Sequence, residues 1–194
     1  MNLPRHSTPK SDGAVGIDRV LAGIENIVAA GRAIPIIGPV KGRILYLITK
    51  IHQPSNVLEL GTAVGYSTLI IARAVMGYGR ILTVERDPDL AREAAKNIED
   101  AGVSDAVEIL VDDAAEALAS LRERFDMIFL DIEKRYYTLV LDSCVEHLNP
   151  GGVLIADNVM WDELREFRNR ILSHKDLESA IIPVEDGLSL SIRA

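Results

Sequence analysis

Short apolar runs alternate with amphipathic segments along most of this chain, and this alternation predicts its fold. Each run has the length of a buried β-strand and is bounded by turn residues. Strands are predicted at 56–60, 80–85, 106–111, 126–131, 153–157, 179–184 and 188–193, and helices between them at 65–75, about 87–101, 113–121, 135–148 and 162–174. Strands that alternate with helices form βαβ units, so the pattern predicts an α/β fold with a parallel sheet covered on both faces.

Breaks in the pattern divide the chain into three parts of one predicted domain, 1–194. Residues 1–12 lack periodicity and are predicted to be flexible, whereas 13–51 is predicted to hold two helices, at about 15–30 and 39–51. The remainder, 56–194, is predicted to be a doubly wound, mostly parallel seven-stranded sheet of Rossmann-like type. Only a short turn, Glu185-Asp186-Gly187, separates the last two strands, so one edge strand is predicted to run antiparallel.

Composition and charge narrow the classes of function. The net charge of −8 disfavours a nucleic-acid partner, because phosphate contacts need Lys or Arg. No apolar run approaches the roughly 20 residues of a membrane span, and no apolar segment follows the basic N-terminal residues, so neither a membrane anchor nor a signal peptide is expected. The single cysteine, Cys144, excludes an internal disulfide and is predicted to be a buried core thiol. A cytoplasmic location is therefore expected.

The first strand of the sheet leads into a glycine-containing loop, VLELGTAVGYS at 57–67. Gly61 and Gly65 allow a tight turn and a close approach to a ligand. Their G-x-x-x-G spacing differs from the G-x-G-x-x-G of dinucleotide sites, which disfavours an NAD-dependent oxidoreductase. Glu59 would repel a pyrophosphate but suits a cationic amino group, such as that of S-adenosylmethionine (SAM). An ordinary strand–helix turn is the alternative.

Carboxylates also follow the next two strands. Glu85 ends the second strand, where a carboxylate can accept hydrogen bonds from both ribose hydroxyls of a nucleoside cofactor. Alternatively, Glu85 is only an exposed charge at the end of a strand. Asp112 and Asp113 follow the third strand. One of them, with Asp113 as the first candidate, can accept from an adenine amino group, cap the next helix, or do both.

Four polar residues follow two further strands, at 126–131 and 153–157. Asp131 and Lys134 come from DMIFLDIEK, and Asp157 and Asn158 come from VLIADN. All are predicted at the carboxyl edge of the sheet, where doubly wound folds bind ligands. Two carboxylates and an amide oxygen form a hard oxygen site suited to Mg²⁺ that leaves about half of an octahedron open. Alternatively, Asp157 and Asn158 only begin a loop.

Taken together, these motifs resemble the metal-dependent catechol and caffeoyl-coenzyme A O-methyltransferases. The resemblance runs from about Gly38 to the C-terminus, through GPVKG (38–42), ELGTAVGYS (59–67), DIEKRYY (131–137), ADNVMW (156–161) and EDGLSL (185–190). It implies the class I fold of SAM-dependent methyltransferases. It also implies methyl transfer from SAM to a hydroxyl of a small catechol-like or phenolic acceptor, assisted by a divalent metal, in an enzyme that often forms homodimers.

The resemblance also implies roles for individual residues. Lys134 would be the general base, and Trp161 would flank the substrate or pack as a core anchor. A metal site for Mg²⁺, Mn²⁺ or Ca²⁺ would consist of Asp131, Asp157 and Asn158. The SAM-binding residues would be Val40, Glu59, Gly61, Ser67, Glu85, Asp113, Ala114 and Asp131. The sequence departs from the animal catechol enzymes at Ala180, where those enzymes carry a glutamate that holds the second catechol hydroxyl.

Two other functions remain open at this stage. The same architecture can methylate a hydroxyl of a tRNA nucleoside, and a clustered Arg and Lys surface around the cavity would favour that function. A non-catalytic module that binds SAM or a nucleotide is the second alternative. Loss of Lys134 or of a metal ligand would favour that module, but all of these residues are present.

Overall fold

Two helices precede the sheet in the computed structural model, which describes residues 11–194, with side chains from residue 13 onward. Helix α1 spans Ser11–Ala29 and helix α2 spans Gly38–His52. Both were predicted, although α1 begins a few residues before the expected start. The flexibility predicted for 1–12 concerns residues that lie almost entirely outside this described part.

All seven predicted strands and the helices between them are present. The strands are β1 (Asn56–Leu60), β2 (Arg80–Glu85), β3 (Val107–Val111), β4 (Phe125–Leu130), β5 (Leu148–Asp157), β6 (Leu177–Ile182) and β7 (Leu188–Arg193). The helices are α3 (Tyr66–Val75), α4 (Pro88–Asp100), α5 (Ala114–Ser120), α6 (Tyr137–His147) and α7 (Arg165–Ser173). Asp87 accepts hydrogen bonds from the backbone N–H groups of Asp89 and Leu90, which explains why α4 begins at Pro88.

The strands form one sheet in the order β3-β2-β1-β4-β5-β7-β6. The pairs among β1 to β5 are parallel, whereas β7 runs antiparallel to both β5 and β6. The predicted doubly wound, mostly parallel α/β sheet is therefore confirmed. Its antiparallel member, β7, lies at the predicted end of the sheet, between β5 and the edge strand β6. Along the chain, the strands are added outward from β1 to β3 on one side, and β4 to β7 lie on the other side. The crevice at the carboxyl ends of β1 and β4, where the two halves meet, is where such a fold binds ligands.

The main differences from the prediction concern the starts of elements. Strand β5 begins at Leu148, five residues before the predicted start at 153, with a register irregularity opposite Phe125 and Met127. A 3₁₀ turn, Lys134–Tyr136, precedes α6, and another, Asp162–Leu164, precedes α7. The first of these turns holds Lys134 directly beside the end of β4.

Apolar side chains pack on both faces of the sheet, as the prediction required. Ile17 and Ile24 of α1 are buried in the core of one face, so this helix uses part of its apolar surface within its own chain. Cys144 is buried on the other face, as predicted, and burial raises the pKa of its thiol to about 12. Within residues 11–194, none of the helices has both the length and the apolar character needed to cross a membrane.

Candidate active site

A cavity of about 630 Å³ opens at the carboxyl ends of the central parallel strands. Its wall contains most of the residues that the sequence predicts for the site: Gly61, Ser67, Glu85, Asp113, Ala114, Asp131, Lys134, Asp157, Asn158 and Trp161. Two predicted residues, Glu59 and Val40, lie outside the wall. The structure therefore brings residues from five separate strand ends into one cavity.

The loop between β1 and α3 forms the floor of this cavity. Its backbone is fixed by hydrogen bonds from Gly61 N to Val84 O (2.9 Å) and from Asp131 N to Leu60 O (2.8 Å). Gly61 has a φ of +98° and lies directly against the carbonyl of Asp131, so a side chain would not fit there. Gly65, with a φ of +85°, caps the start of α3. Both glycines therefore serve the turn that the sequence predicted.

Glu59 lies beneath this loop and is completely buried. Its Oε2 accepts hydrogen bonds from the hydroxyls of Thr68 and Thr83, the second at 2.6 Å, while Oε1 has no hydrogen-bond partner among the described residues. Burial raises the pKa of Glu59 to about 7, although the hydroxyls of Ser67, Thr68 and Thr83 oppose the shift. An unpaired carboxylate oxygen at this depth suits a cationic donor that approaches through the loop.

Glu85 lies at the end of β2 and is mostly buried. Its Oε2 accepts from the backbone N–H of Ala63 (2.8 Å), and its Oε1 accepts from that of Asp87 (2.9 Å). The carboxylate is thus held between the floor loop and the start of α4. Each oxygen still has a free lone pair for a hydroxyl donor from the cavity.

Asp113 and Ala114 lie at the start of α5 on the same wall as Glu85. Asp113 Oδ1 accepts a hydrogen bond from Ala115 N at 2.9 Å, so the predicted helix cap is confirmed. Its other oxygen remains available to a ligand, since a capping carboxylate can accept several hydrogen bonds.

Asp131, Asp157 and Asn158 lie together on the opposite wall, at the ends of β4 and β5. The carboxylates interact, because burial and the nearby Asp131 both raise the pKa of Asp157, and Lys41 opposes this shift. The hydrogen bonds that they accept within residues 11–194 all fall on Oδ1: from Lys134 and Tyr137 to Asp131, and from Lys41 and Asn158 N to Asp157.

One oxygen of each of these three residues is therefore free of protein donors in the described part of the chain: Asp131 Oδ2, Asp157 Oδ2 and Asn158 Oδ1. Such a donor set, two carboxylates and an amide oxygen, fits a hard divalent cation. Among the described residues, no three or more His, Cys, Asp or Glu side chains are grouped so that they could hold a metal ion by themselves. The proposed donor set therefore includes the amide oxygen of Asn158.

Lys134 lies beside Asp131, mostly buried, with Nζ 2.7 Å from Asp131 Oδ1. It also donates to the carbonyl of Ile132 and lies 3.3 Å from the hydroxyl of Tyr137. Its Nζ is 5.6 Å from the ring centroid of Trp161, which is 44% exposed and therefore borders the cavity rather than anchoring the core. The amine is thus held between the free oxygens and the aromatic edge of the cavity.

Val40, like Glu59, is a predicted site residue that does not line the cavity. It lies on α2 and is 50% exposed, whereas Ile37, just before this helix, is buried and lines the cavity with Ile36. The cofactor contact predicted for Val40 stays a prediction. Helix α2 starts only at Gly38, so the preceding residues form the wall.

Sequence reasoning missed two charged residues behind the oxygen donors, Lys41 and Asp186. Lys41 Nζ lies 2.5 Å from both Asp157 Oδ1 and Asp186 Oδ1, and Asp186 Oδ2 accepts a hydrogen bond from Asn158 Nδ2 at 2.7 Å. One signal for Lys41 was available. Lys41 shares one face of α2 with Leu45 and Thr49, at helical spacing, and this face is buried. The spacing therefore indicates a charged side chain inside the protein.

The cavity wall as a whole is acidic. Eight carboxylates face two basic side chains: Glu85, Asp87, Asp112, Asp113, Asp131, Glu133, Asp157 and Asp186 against Arg86 and Lys134. Arg86 forms an ion pair with Glu133 across the wall. This charge pattern is not that of a surface for a polyanion.

Comparison with known proteins identifies relatives for most of the chain. Residues 24–194 match the sequence profile of a family described as O-methyltransferase. The chain is 36% identical over 168 residues to a catechol O-methyltransferase from Niastella koreensis, covering 84% of this chain and 73% of that protein.

A transmembrane O-methyltransferase from Homo sapiens is 41% identical over 132 residues, which are 64% of this chain and 45% of the human protein. The chain therefore spans less than half the length of that relative. Among solved structures, the O-methyltransferase from Bacillus cereus in complex with S-adenosylhomocysteine (SAH) has a TM-score of 0.79 and 26% identity, over 97% of this chain and 94% of that one.

Proposed function

We propose that this chain, which belongs to the O-methyltransferase family and is a SAM-dependent enzyme, methylates a hydroxyl of a small phenolic or catechol-like acceptor with the help of a divalent metal. The observation that carries the proposal is the set of three free oxygens, on Asp131, Asp157 and Asn158, beside the amine of Lys134. A hard cation and a hydroxyl acceptor match these groups in charge and in donor type.

Each end of the cavity has a proposed occupant. Glu85 would accept hydrogen bonds from the ribose of SAM, and Asp113 and Ala114 would contact its adenine. Gly61 and Ser67 would hold the methionine part, with the unpaired oxygen of Glu59 beneath them as an acceptor for the ammonium group. The 36% identity to a catechol O-methyltransferase, over 84% of this chain, supports a SAM site of this kind.

Asp131, Asp157 and Asn158 would bind Mg²⁺ or another divalent cation such as Mn²⁺. When bound, such a cation supplies Lewis acidity, which favours the ionised form of a hydroxyl in contact with it. Such activation would help the reaction, because a phenol with a pKa of about 10 is almost entirely neutral at pH 7 and is a poor nucleophile.

The protein's own residues would complete the reaction. Lys134, as the neutral amine, would take the hydroxyl proton, and the wall formed with Trp161 would hold the aromatic acceptor against the methyl donor. Holding oxygen, methyl carbon and sulfur in line lowers the barrier by several kcal/mol through positioning alone.

The experiment that tests this function is an acceptor screen. Purified protein would be incubated with SAM and Mg²⁺ and with catechols, phenolic acids or unmodified and modified tRNA, and SAH release would be measured. Turnover with catechols or phenols but not with tRNA is the expected result. Turnover with tRNA alone would overturn the proposed acceptor class, although the acidic cavity wall does not favour it.

Assembly and location stay predictions. The homodimer expected from the resemblance stays a prediction, and Ile17 and Ile24 of α1 pack into the chain's own core. The predicted cytoplasmic location also stays a prediction.

A further inference from the structure

Lys41 is a charged side chain in an unusual place, because it is only 4% exposed. Burial of an ammonium group costs several kcal/mol unless opposite charges surround it closely. Here two carboxylates do so, Asp157 and Asp186, each with its Oδ1 2.5 Å from Nζ. Lys41 is therefore a buried cation with a defined geometry.

The same contacts continue to Asn158 and form a closed ring of four residues. Asp186 Oδ2 accepts from Asn158 Nδ2 at 2.7 Å, and Asn158 N donates to Asp157 Oδ1 at 2.8 Å. Lys41 completes the ring between the two aspartates. Each contact engages the side of Asp157 and Asn158 that is not free for a cation.

The ring also determines which atom of the Asn158 amide is free. An amide can rotate by half a turn and exchange its oxygen for its NH₂ group, which cannot bind a cation. Asp186 can only accept a hydrogen bond, so it selects the orientation in which Nδ2 faces Asp186 and Oδ1 is released.

The turn that carries Asp186 is itself attached to the segment after Asn158. Met160 N donates to Asp186 O at 2.9 Å, and Val159 N donates to Gly187 O at 3.2 Å. The acceptor for the Asn158 amide is therefore fixed in place by backbone hydrogen bonds.

We propose that Lys41 and Asp186 are positioning residues for the divalent-cation site, which hold Asp157 and Asn158 with one oxygen each available to the metal. This inference rests on the proposed function. Lys41 comes from α2 and Asp186 from the β6–β7 turn, so the site would depend on two elements that contribute no metal ligand themselves. Partners of this kind typically change metal affinity by 10- to 100-fold when they are removed.

A purely electrostatic role predicts a different pattern. Removal of the positive charge of Lys41 would then strengthen cation binding, and removal of the negative charge of Asp186 would weaken it. A positioning role predicts weaker binding in both cases. The sign of the effect at Lys41 therefore separates the two accounts.

The test is Mn²⁺ binding to the purified full chain, followed by the electron paramagnetic resonance signal of free Mn²⁺. Lys41→Met and Asp186→Asn are each expected to weaken Mn²⁺ binding by on the order of tenfold. In the double variant, the fold loss of Mn²⁺ affinity is expected to be smaller than the product of the two single losses, because the residues act through one ring. Lys50→Met, on the same helix, and Glu185→Gln, next to Asp186, are the matched controls and should bind Mn²⁺ like the wild type.

Two further measurements exclude a general loss of structure. SAH affinity, measured by calorimetry, should stay within about twofold of the wild type, because the anchors proposed for the cofactor lie on other elements, and urea denaturation should show a cooperative transition. If Lys41→Met does not fold, Lys41→Gln replaces it, since it keeps an N–H donor without the charge. Weaker Mn²⁺ binding is again the positioning result.

Unchanged or tighter Mn²⁺ binding by the Lys41 variant would overturn the inference and leave the proposed metal site intact. Absence of Mn²⁺ binding by the wild type would overturn the proposed metal site together with the inference. The two failures are thus distinguishable in one titration series.

Discussion

Gly61 lies directly against the backbone carbonyl of Asp131, so that a Cβ at Gly61 would overlap the Asp131 oxygen. The contact joins the floor loop of the cavity to the end of β4, and thus the proposed cofactor side to the proposed metal side. Because Gly61 also has a φ of +98°, two separate constraints favour glycine at this position.

Gly61→Ala should therefore destabilise the protein more than the same substitution at a glycine that has only one of these two constraints. Gly77 is the matched control, since it has a φ of +89° but open space around it. Gly77→Ala should cost about 1–2 kcal/mol for the left-handed backbone alone, and Gly61→Ala should cost about 1–3 kcal/mol more and abolish SAH binding. Urea denaturation measures the difference, and equal losses for the two variants would contradict the packing described for this loop.

Glu85 should contribute strongly to cofactor affinity. Glu85→Ala is expected to weaken SAH binding by about 1–3 kcal/mol, because charged hydrogen bonds to the ribose would be lost. Glu108→Ala, an exposed carboxylate on the neighbouring strand β3, is the control and should bind SAH like the wild type. Calorimetry provides the affinities, and tighter binding of NAD than of SAH would show that the cofactor site has been misassigned.

Glu59 should make stability depend on pH in the direction opposite to an ordinary salt-bridged carboxylate. Its pKa in the folded protein is about 7, above the ordinary 4.5, so between these pH values the folded state keeps a proton that the unfolded state has released. The contribution of Glu59 to the free energy of unfolding therefore decreases as pH rises from about 4.5 to about 7. Glu59→Gln should flatten this slope in urea denaturation series, and an unchanged slope would show that Glu59 titrates normally.

Lys134 should act on turnover rather than on binding. Lys134→Met is expected to lower kcat by roughly 10²- to 10⁴-fold, the usual range for a general base, with little change in SAH affinity. Acceptors with a more acidic hydroxyl should be affected less, because less proton removal is needed. Lys175→Met, at a largely exposed lysine, is the control for loss of a positive charge. An equal loss with acidic and ordinary phenols would mean that Lys134 does not take the proton.

The fold could be predicted from the sequence because its strands are continuous apolar runs, and such runs belong to parallel strands buried on both faces. The location of the candidate site could be predicted for the same reason. Glu85, Asp131 and Asp157 end or directly follow apolar strands, and parallel strands end at one edge of the sheet. Chain position relative to a strand was enough to bring these residues together.

The missed residues depend on contacts that no local pattern records. Lys41 and Asp186 are 145 positions apart and meet only after the β6–β7 hairpin packs beside β5. Val40 was chosen from a motif whose letters do not tell where α2 begins, whereas Ile37 lies just before the first turn of that helix. Both observations depend on how α2 is oriented against the sheet, which is a property of tertiary packing.

The central claim is that a divalent cation held by Asp131, Asp157 and Asn158 is required for methyl transfer, and chelation tests it most directly. With an acceptor identified in the screen, SAH release would be measured in Mg²⁺, in excess EDTA and after Mg²⁺ is restored, and SAH affinity would be measured in the same buffers. The account predicts that EDTA abolishes turnover, that Mg²⁺ restores it, and that SAH affinity changes by no more than about twofold, since the cofactor's proposed anchors lie mainly on β1, β2 and α5. Full turnover in excess EDTA would contradict it.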